Sequence, residues 1–187
     1  MMEQKYDEFV DLIKVLDERS REARARRMKF INDELPKGHL LLFGGEYTMH
    51  ALEEAKWCFV NGFYIATVLL SQVVLEYILG GIFQMAGRDD LKRASFVKIL
   101  DEALNERFIS EEEFKSLTKL RQVRNPYTHY RTVVDKESIS MRRLNESKQS
   151  EEIFYNDAKM ILQIVFRLLK RRPFFYPEEN TSERSDS

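Results

Sequence analysis

The segment from Leu120 to Arg131 concentrates side chains that could bind and cleave a phosphodiester. It holds three arginines, one asparagine, two tyrosines and one of the chain's three histidines. A guanidinium can bind a phosphate through two hydrogen bonds, and an imidazole titrates near neutrality, so it can transfer a proton. Arg124 and His129 are therefore the candidate catalytic pair. The alternative is a polar helix end with a surface histidine.

The other polar residues of this segment have supporting roles in the same hypothesis. Asn125 could hold a phosphate oxygen or cap the helix end, and Arg121 and Arg131 are candidate RNA contacts. Tyr127 and Tyr130 could stack on bases, because an aromatic face accepts any base, or they could simply pack.

Composition and motifs exclude several classes of site. Cys58 is the single cysteine, and neither His39 nor His50 has a partner at metal-ligand spacing, so no metal site and no cofactor is expected. Glycine-rich phosphate loops and nucleophile elbows are absent from the sequence. The formal net charge is -1, so any contact with nucleic acid must come from local clusters. One such basic cluster runs from Arg19 to Lys29 and could contact an RNA backbone. The alternative is that these residues form a solvated helix face.

The elements that must position these residues are predicted to be helices. Only 7 glycines and 4 prolines occur in 187 residues, which favours an all-α fold. Three-four spacing of Phe9, Ile13 and Leu16 predicts a long amphipathic helix over 5–33. Leu40 to Phe43 is a short apolar run that could be packed loop or a turn of helix. Further helices are expected over about 48–60 and 63–85, and from Ser95 to about 106.

The helix that carries the candidate pair has a clear start. Ser110 and Glu113 form a capping-box pattern, and we expect the helix to end near Arg124, because Pro126 disfavours helical geometry at the preceding residue. Residues 132–150 are predicted to be an exposed loop and 151–172 the last helix. The polar tail after Pro177 is predicted to be disordered.

The helix over 63–83 is long enough to cross a bilayer, at roughly 20 residues. Glu76 is its only charge, and a carboxylate near the middle of a span is costly in lipid. The central helix of a soluble bundle is the simpler interpretation, with no membrane contact. No apolar leader follows the N-terminus, so a cytoplasmic protein is expected. The Glu76 carboxylate is expected either to be paired or near a polar cleft, or to lie on a narrow solvent-facing strip.

Three of these residues match a known motif. The order Arg124-Asn125-x-x-x-His129 at the end of an amphipathic helix resembles the Arg-x(4–6)-His motif of HEPN domains. The flanking pattern is similar too, with the three stretches Ala55 to Ala66, Leu75-Glu76 and Phe96 to Leu100 leading to the motif helix. The resemblance covers roughly residues 48–170. It therefore divides the chain into an N-terminal helical extension (1–47), a HEPN-like antiparallel helical bundle (48–172) and a disordered tail (173–187).

The resemblance implies a homodimer with metal-independent endoribonuclease activity, in a toxin or defence role. Two chains would bring two histidines and two arginines to one cleft. His129 would be the general acid/base, Arg124 would steady the phosphate and Asn125 would orient the loop or a phosphate oxygen. The products would be a 2′,3′-cyclic phosphate and a 5′-hydroxyl. The resemblance also implies a contact between Glu76 and Arg124, because the family often has an acidic or polar residue on this helix close to the motif arginine.

The resemblance also leaves alternatives open. A cognate antitoxin is a possible partner, as is a nucleotidyltransferase that adenylylates a tyrosine two residues after the motif histidine, but Arg131 occupies that position here. A non-catalytic module that binds RNA, nucleotide or protein is the alternative function. A purely structural helical dimer is the third.

Overall fold

The computed structural model describes residues 2–171 and 174–177, and over these residues the predicted all-α fold is confirmed. The seven α-helices of this part are α1 (Met2–Glu34), α2 (Glu46–Asn61), α3 (Tyr64–Met85), α4 (Phe96–Asn105), α5 (Glu111–Thr128), α6 (Ile139–Glu146) and α7 (Ser150–Leu169). A short 3-10 turn, Asp89–Leu91, precedes α4. Two three-residue strands, β1 (Gly38–Leu40) and β2 (Phe175–Pro177), pair antiparallel with His39 opposite Tyr176.

Helix α3 is the centre of the bundle and packs against α2, α4, α5 and α7. Its buried side chains cover about one half of the helix circumference, and the largest of those fully buried are Leu75, Ile78, Leu79 and Phe83. The helix is long and apolar enough to cross a membrane, but 44% of its most apolar window is buried by the rest of the protein. These contacts support the interpretation of a central helix in a soluble bundle.

Local capping signals in the sequence set several of the helix boundaries. Gly62 takes the left-handed conformation (φ 85°) that ends α2. Phe63 is the N-cap residue of the next helix, α3, which begins at Tyr64. The Ser95 side chain accepts a hydrogen bond from the backbone of Lys98 at the start of α4. The predicted capping box of Ser110 and Glu113 is present at the start of α5.

The predicted end of the motif helix near Arg124 is wrong, because α5 continues to Thr128 with Pro126 inside it. Proline removes its own N–H donor and crowds the Gln122 carbonyl one turn earlier. The helical bond from His129 N–H to the Asn125 carbonyl (3.1 Å) nevertheless forms after it. Tyr127 also packs against Phe154 of α7, with ring centroids 5.8 Å apart. Packing on α7 thus outweighs the local preference of the residue before proline.

Further expectations need correction. The segment 132–150 is not all loop, because Ser138 caps the short helix α6 by accepting a hydrogen bond from Met141 N–H at 3.1 Å. The start of the apolar run at Leu40 is a strand residue, since it pairs with Phe175. The tail expected to be disordered, 173–187, is ordered over 174–177, because Phe174 is fully buried and Phe175–Pro177 forms β2. The remainder of the tail lies outside the described residues, as does Arg172, and the predicted final helix ends at Leu169.

A close approach between α3 and the loop before α2 gives a stability prediction. A Cβ on Gly81 would lie 2.5 Å from the backbone nitrogen of Gly44 and 3.1 Å from the Phe43 Cβ. Gly81→Ala is expected to lower the free energy of unfolding by about 1–3 kcal/mol, because the new methyl group forces α3 and the loop before α2 to move apart. The matched control is Gly80→Ala, where no atom lies within 4 Å of the new methyl group.

The Gly80→Ala control should leave stability unchanged or raise it by up to about 1 kcal/mol, since alanine favours helix. Urea unfolding followed by circular dichroism measures both variants. Equal stability of the two alanine variants would contradict the close packing of α3 on the Phe43-Gly44 loop.

Candidate functional site

Five of the eight predicted site residues line one pocket, which we call the motif pocket. It has a volume of about 220 Å³ and is formed by α3, the start of α4 and the end of α5. Its lining residues are Gln72, Glu76, Ser95, Phe96, Val97, Arg121, Arg124, Asn125 and His129. Arg124, Asn125 and His129 therefore share this pocket with Glu76 and Arg121.

The geometry of α5 explains how these side chains come together. Arg121, Arg124 and Asn125 are related by i, i+3 and i+4 spacing, so they share one face of the helix. His129 follows the last helical residue with an extended backbone (φ -123°, ψ 132°). Position 129 is four residues after Asn125, so the imidazole lies one turn further along the same face and lines the same pocket.

The positive charge of the motif pocket is not neutralised by ion pairs. Within the described residues, no carboxylate oxygen lies within 4.0 Å of the guanidinium of Arg121 or Arg124. The Nε of Arg124 is buried and has no hydrogen-bond partner. A buried N–H donor without a partner is costly, so an anion that enters the pocket would relieve that cost if it reached this donor.

The α3 side of the motif pocket supplies a carboxylate and an amide. Gln72 is only 4% exposed, and its Nε2 donates a hydrogen bond of 2.5 Å to Glu76 Oε1. Glu76 is half-buried and shares the pocket with Arg124, but no ion pair joins the two side chains within 4.0 Å. The carboxylate is thus held by its own helix and leaves the Arg124 guanidinium open.

Arg131 and the two tyrosines of the motif segment do not line the motif pocket. Arg131 forms ion pairs with Asp135 (3.4 Å) and Glu137 (3.0 Å), which occupy its guanidinium. Tyr130 is 92% exposed. Of the two arginines predicted to contact RNA, Arg121 is thus the one positioned beside the candidate pair.

Tyr127 belongs to a separate polar cluster that ties α5 to α6 and α7. Its hydroxyl donates to Asp157 Oδ2 at 2.6 Å, and Arg142 binds both Asp157 oxygens at 2.6 and 2.9 Å. Burial and then the hydrogen bond to Asp157 raise the pKa of Tyr127 well above its usual range. This Tyr127–Asp157–Arg142 cluster holds the end of α5 two residues before His129, and we assign Tyr127 to packing rather than base stacking.

The basic run of α1 is largely paired within its own helix. Arg21, Arg24 and Arg26 form ion pairs with Glu18, Asp17 and Glu22 at 2.6, 3.1 and 3.4 Å. Arg27 points the other way and donates to the Val60 carbonyl at 2.8 Å. These pairs favour the solvated-face interpretation of the run over an RNA-binding surface.

Sequence reasoning missed the part of the motif pocket contributed by α3 and α4. Gln72 precedes Glu76 by one helical turn, and this spacing was the available signal for a polar strip on an otherwise apolar helix. Ser95 was predicted as a helix cap, but nothing local in the sequence indicates that the start of α4 lies against α5. That contact follows from tertiary packing.

Comparison of the chain with protein-family models, curated proteins and solved structures finds no match. The HEPN resemblance therefore depends on the residues and spacing given above.

Proposed function

We propose that this chain is a metal-independent endoribonuclease of HEPN type, active as a cytoplasmic homodimer in a toxin or defence role. The observation that carries the proposal is the convergence of Arg124, Asn125 and His129 on one pocket with a second unpaired guanidinium, Arg121. Two unpaired arginines beside an imidazole suit a phosphodiester, because they bind its charge while the imidazole moves a proton.

The proposed reaction uses the RNA's own 2′-hydroxyl as nucleophile. An imidazole removes the 2′-hydroxyl proton, and the oxygen forms a bond to phosphorus while the bond to the 5′-oxygen breaks. A second imidazole gives that leaving oxygen a proton, so the products are a 2′,3′-cyclic phosphate and a 5′-hydroxyl. Arg124 and Arg121 stabilise the extra negative charge on the pentacoordinate phosphorane.

The need for two imidazoles supports the homodimer. The other two histidines, His39 of β1 and His50 of α2, are exposed and do not line the motif pocket. One chain therefore supplies one imidazole to the site, and a second copy facing it across a twofold axis would supply the other. A cognate antitoxin or a nucleotidyltransferase would regulate the site in this proposal.

The test is an RNA cleavage assay in EDTA with end-group analysis of the products. Wild-type protein is incubated with labelled transfer, ribosomal and messenger RNA, and His129→Ala protein purified in parallel reports any contaminating nuclease. The proposal predicts fragments with 2′,3′-cyclic phosphate and 5′-hydroxyl ends from the wild type alone. Equal degradation by both proteins, or cleavage that EDTA abolishes, would contradict it.

A non-catalytic RNA-binding module is the second candidate, and the single imidazole in each motif pocket favours it. Arg121 and Arg124 would bind a phosphate whether or not a second histidine completes the site. Binding of RNA by wild type and His129→Ala alike, with no cleavage by either, would select this function. If the protein neither binds nor cuts these RNAs, the remaining alternative is a purely structural helical dimer.

A further inference from the structure

The N-terminal half of α1 carries an apolar face that no described part of the chain covers. Four side chains at heptad spacing form this apolar stripe, namely Tyr6, Phe9, Ile13 and Leu16, which are 70, 62, 58 and 52% exposed. Exposed apolar side chains are ordinary when scattered, but a continuous stripe on one helix face marks an interaction surface.

In the C-terminal half of the same helix, the continuation of this face is packed against the bundle. Phe30 continues the heptad register and packs on Phe59 of α2, with ring centroids 5.3 Å apart. Ile31 is 7% exposed, and Arg27 bonds to the Val60 carbonyl and the Tyr64 hydroxyl. The same helix face is thus packed in the bundle on the C-terminal side of Arg27 and exposed to solvent on the N-terminal side of Ser20.

We infer that the apolar stripe of α1 pairs with the same stripe of a second copy of this chain, in an antiparallel coiled coil. Continuing heptad positions run from Tyr6 to Ala23 with alternating spacings of three and four, which is the pattern of a coiled-coil seam. This stretch would give an overlap of roughly 27 Å at 1.5 Å per residue. Its helix is already formed, because the anchored C-terminal half extends into it.

Charge favours a second copy in the antiparallel orientation. Within the 6–23 overlap, residues 6–10 hold two carboxylates and no basic side chain, whereas residues 19–23 hold two arginines and one carboxylate. Parallel pairing would place acidic turns beside acidic turns and basic beside basic. Antiparallel pairing places the acidic N-terminal turns of each chain beside the basic turns of the other.

Two other occupants fit the stripe less well. The chain's own tail, residues 178–187, contains no apolar side chain that could bury it. An anionic membrane surface would be repelled by the carboxylates that surround the stripe. The stripe lies outside the motif pocket, so this inference does not depend on the proposed ribonuclease activity.

The first test is the oligomeric state of full-length Ile13→Lys/Leu16→Lys protein. Two charges placed in the seam of each chain are expected to raise the dimer dissociation constant at least about 100-fold, measured by sedimentation equilibrium. Val15→Lys is the matched control, because Val15 is also exposed on α1 (46%) but lies off the stripe. Circular dichroism checks that both variants keep their helical content.

The second test fixes the orientation. In a Cys58→Ser background, Phe9→Cys protein is mixed with Ser20→Cys protein and oxidised. Antiparallel pairing places position 9 beside position 20 of the other chain and gives the mixed disulfide, whereas parallel pairing gives only disulfides between identical variants. A monomeric wild type, a dimer unaffected by Ile13→Lys/Leu16→Lys, or exclusively like-with-like disulfides would overturn the inference.

These outcomes also separate the inference from the proposed function. A dimer that survives the stripe substitutions must use another surface, so the α1 pairing would be wrong while pairing across the motif pocket would stand. Loss of dimer with full RNA cleavage would instead support the stripe and contradict the need for two facing imidazoles.

Discussion

Replacing Asp157 with asparagine is expected to lower the free energy of unfolding by about 3 kcal/mol. Asp157 is 5% exposed and is bound by both terminal nitrogens of Arg142 and by the Tyr127 hydroxyl. Removing one partner of a buried ion pair leaves an uncompensated charge, which costs more than the pair contributes. Glu146, 3.2 Å from Arg142, offsets only part of that charge because it lies nearer the surface.

The measurement is urea unfolding of the full-length protein, with Asp101→Asn as the control. Asp101 is exposed on α4, and its replacement is expected to change stability by less than about 0.5 kcal/mol. Arg142→Met and the double variant complete a cycle, and the double variant should cost less than the sum of the single changes. Asp157→Asn protein within about 1 kcal/mol of the wild type would contradict a structural role for the Tyr127–Asp157–Arg142 cluster.

The sequence predicts this fold best where the signal is local. The capping box of Ser110, the cap at Ser95 and the left-handed Gly62 each act within a few residues, so their effect can be read from composition and spacing. Pro126 shows the limit of such signals. Its local preference predicts a helix end near Arg124, but the contacts of Tyr127 with Asp157 and Phe154 keep the chain helical.

The candidate site shows the same division. Arg124, Asn125 and His129 are close in sequence, so the spacing alone predicts that they can act together. Gln72 comes from a helix that precedes them by some fifty residues, and only the packing of α3 on α5 brings it to the motif pocket. No pattern in one sequence indicates which polar residue of a distant helix will face the motif.

Replacing His129 with alanine is expected to lower the rate of RNA cleavage in EDTA by about 100- to 10,000-fold, the usual effect of losing a general acid or base. RNA binding should change little, because the phosphate contacts proposed for Arg121 and Arg124 remain. His50→Ala is the matched control, since His50 is an exposed imidazole on α2 outside the motif pocket. Cleavage by His129→Ala protein at the wild-type rate would end the catalytic proposal.

Mixing the two proteins tests whether each cleavage needs an imidazole from both chains. After subunit exchange, an equal mixture of wild type and His129→Ala contains about one quarter wild-type homodimers, one half mixed dimers and one quarter variant homodimers. If both imidazoles are needed, mixed dimers are inactive and the mixture retains about one quarter of the wild-type rate at the same total protein. If each motif pocket acts independently, the mixture would retain about half of the wild-type rate. A rate near one half would therefore place acid and base in one chain, where the described residues offer only His129 and Glu76 for proton transfer.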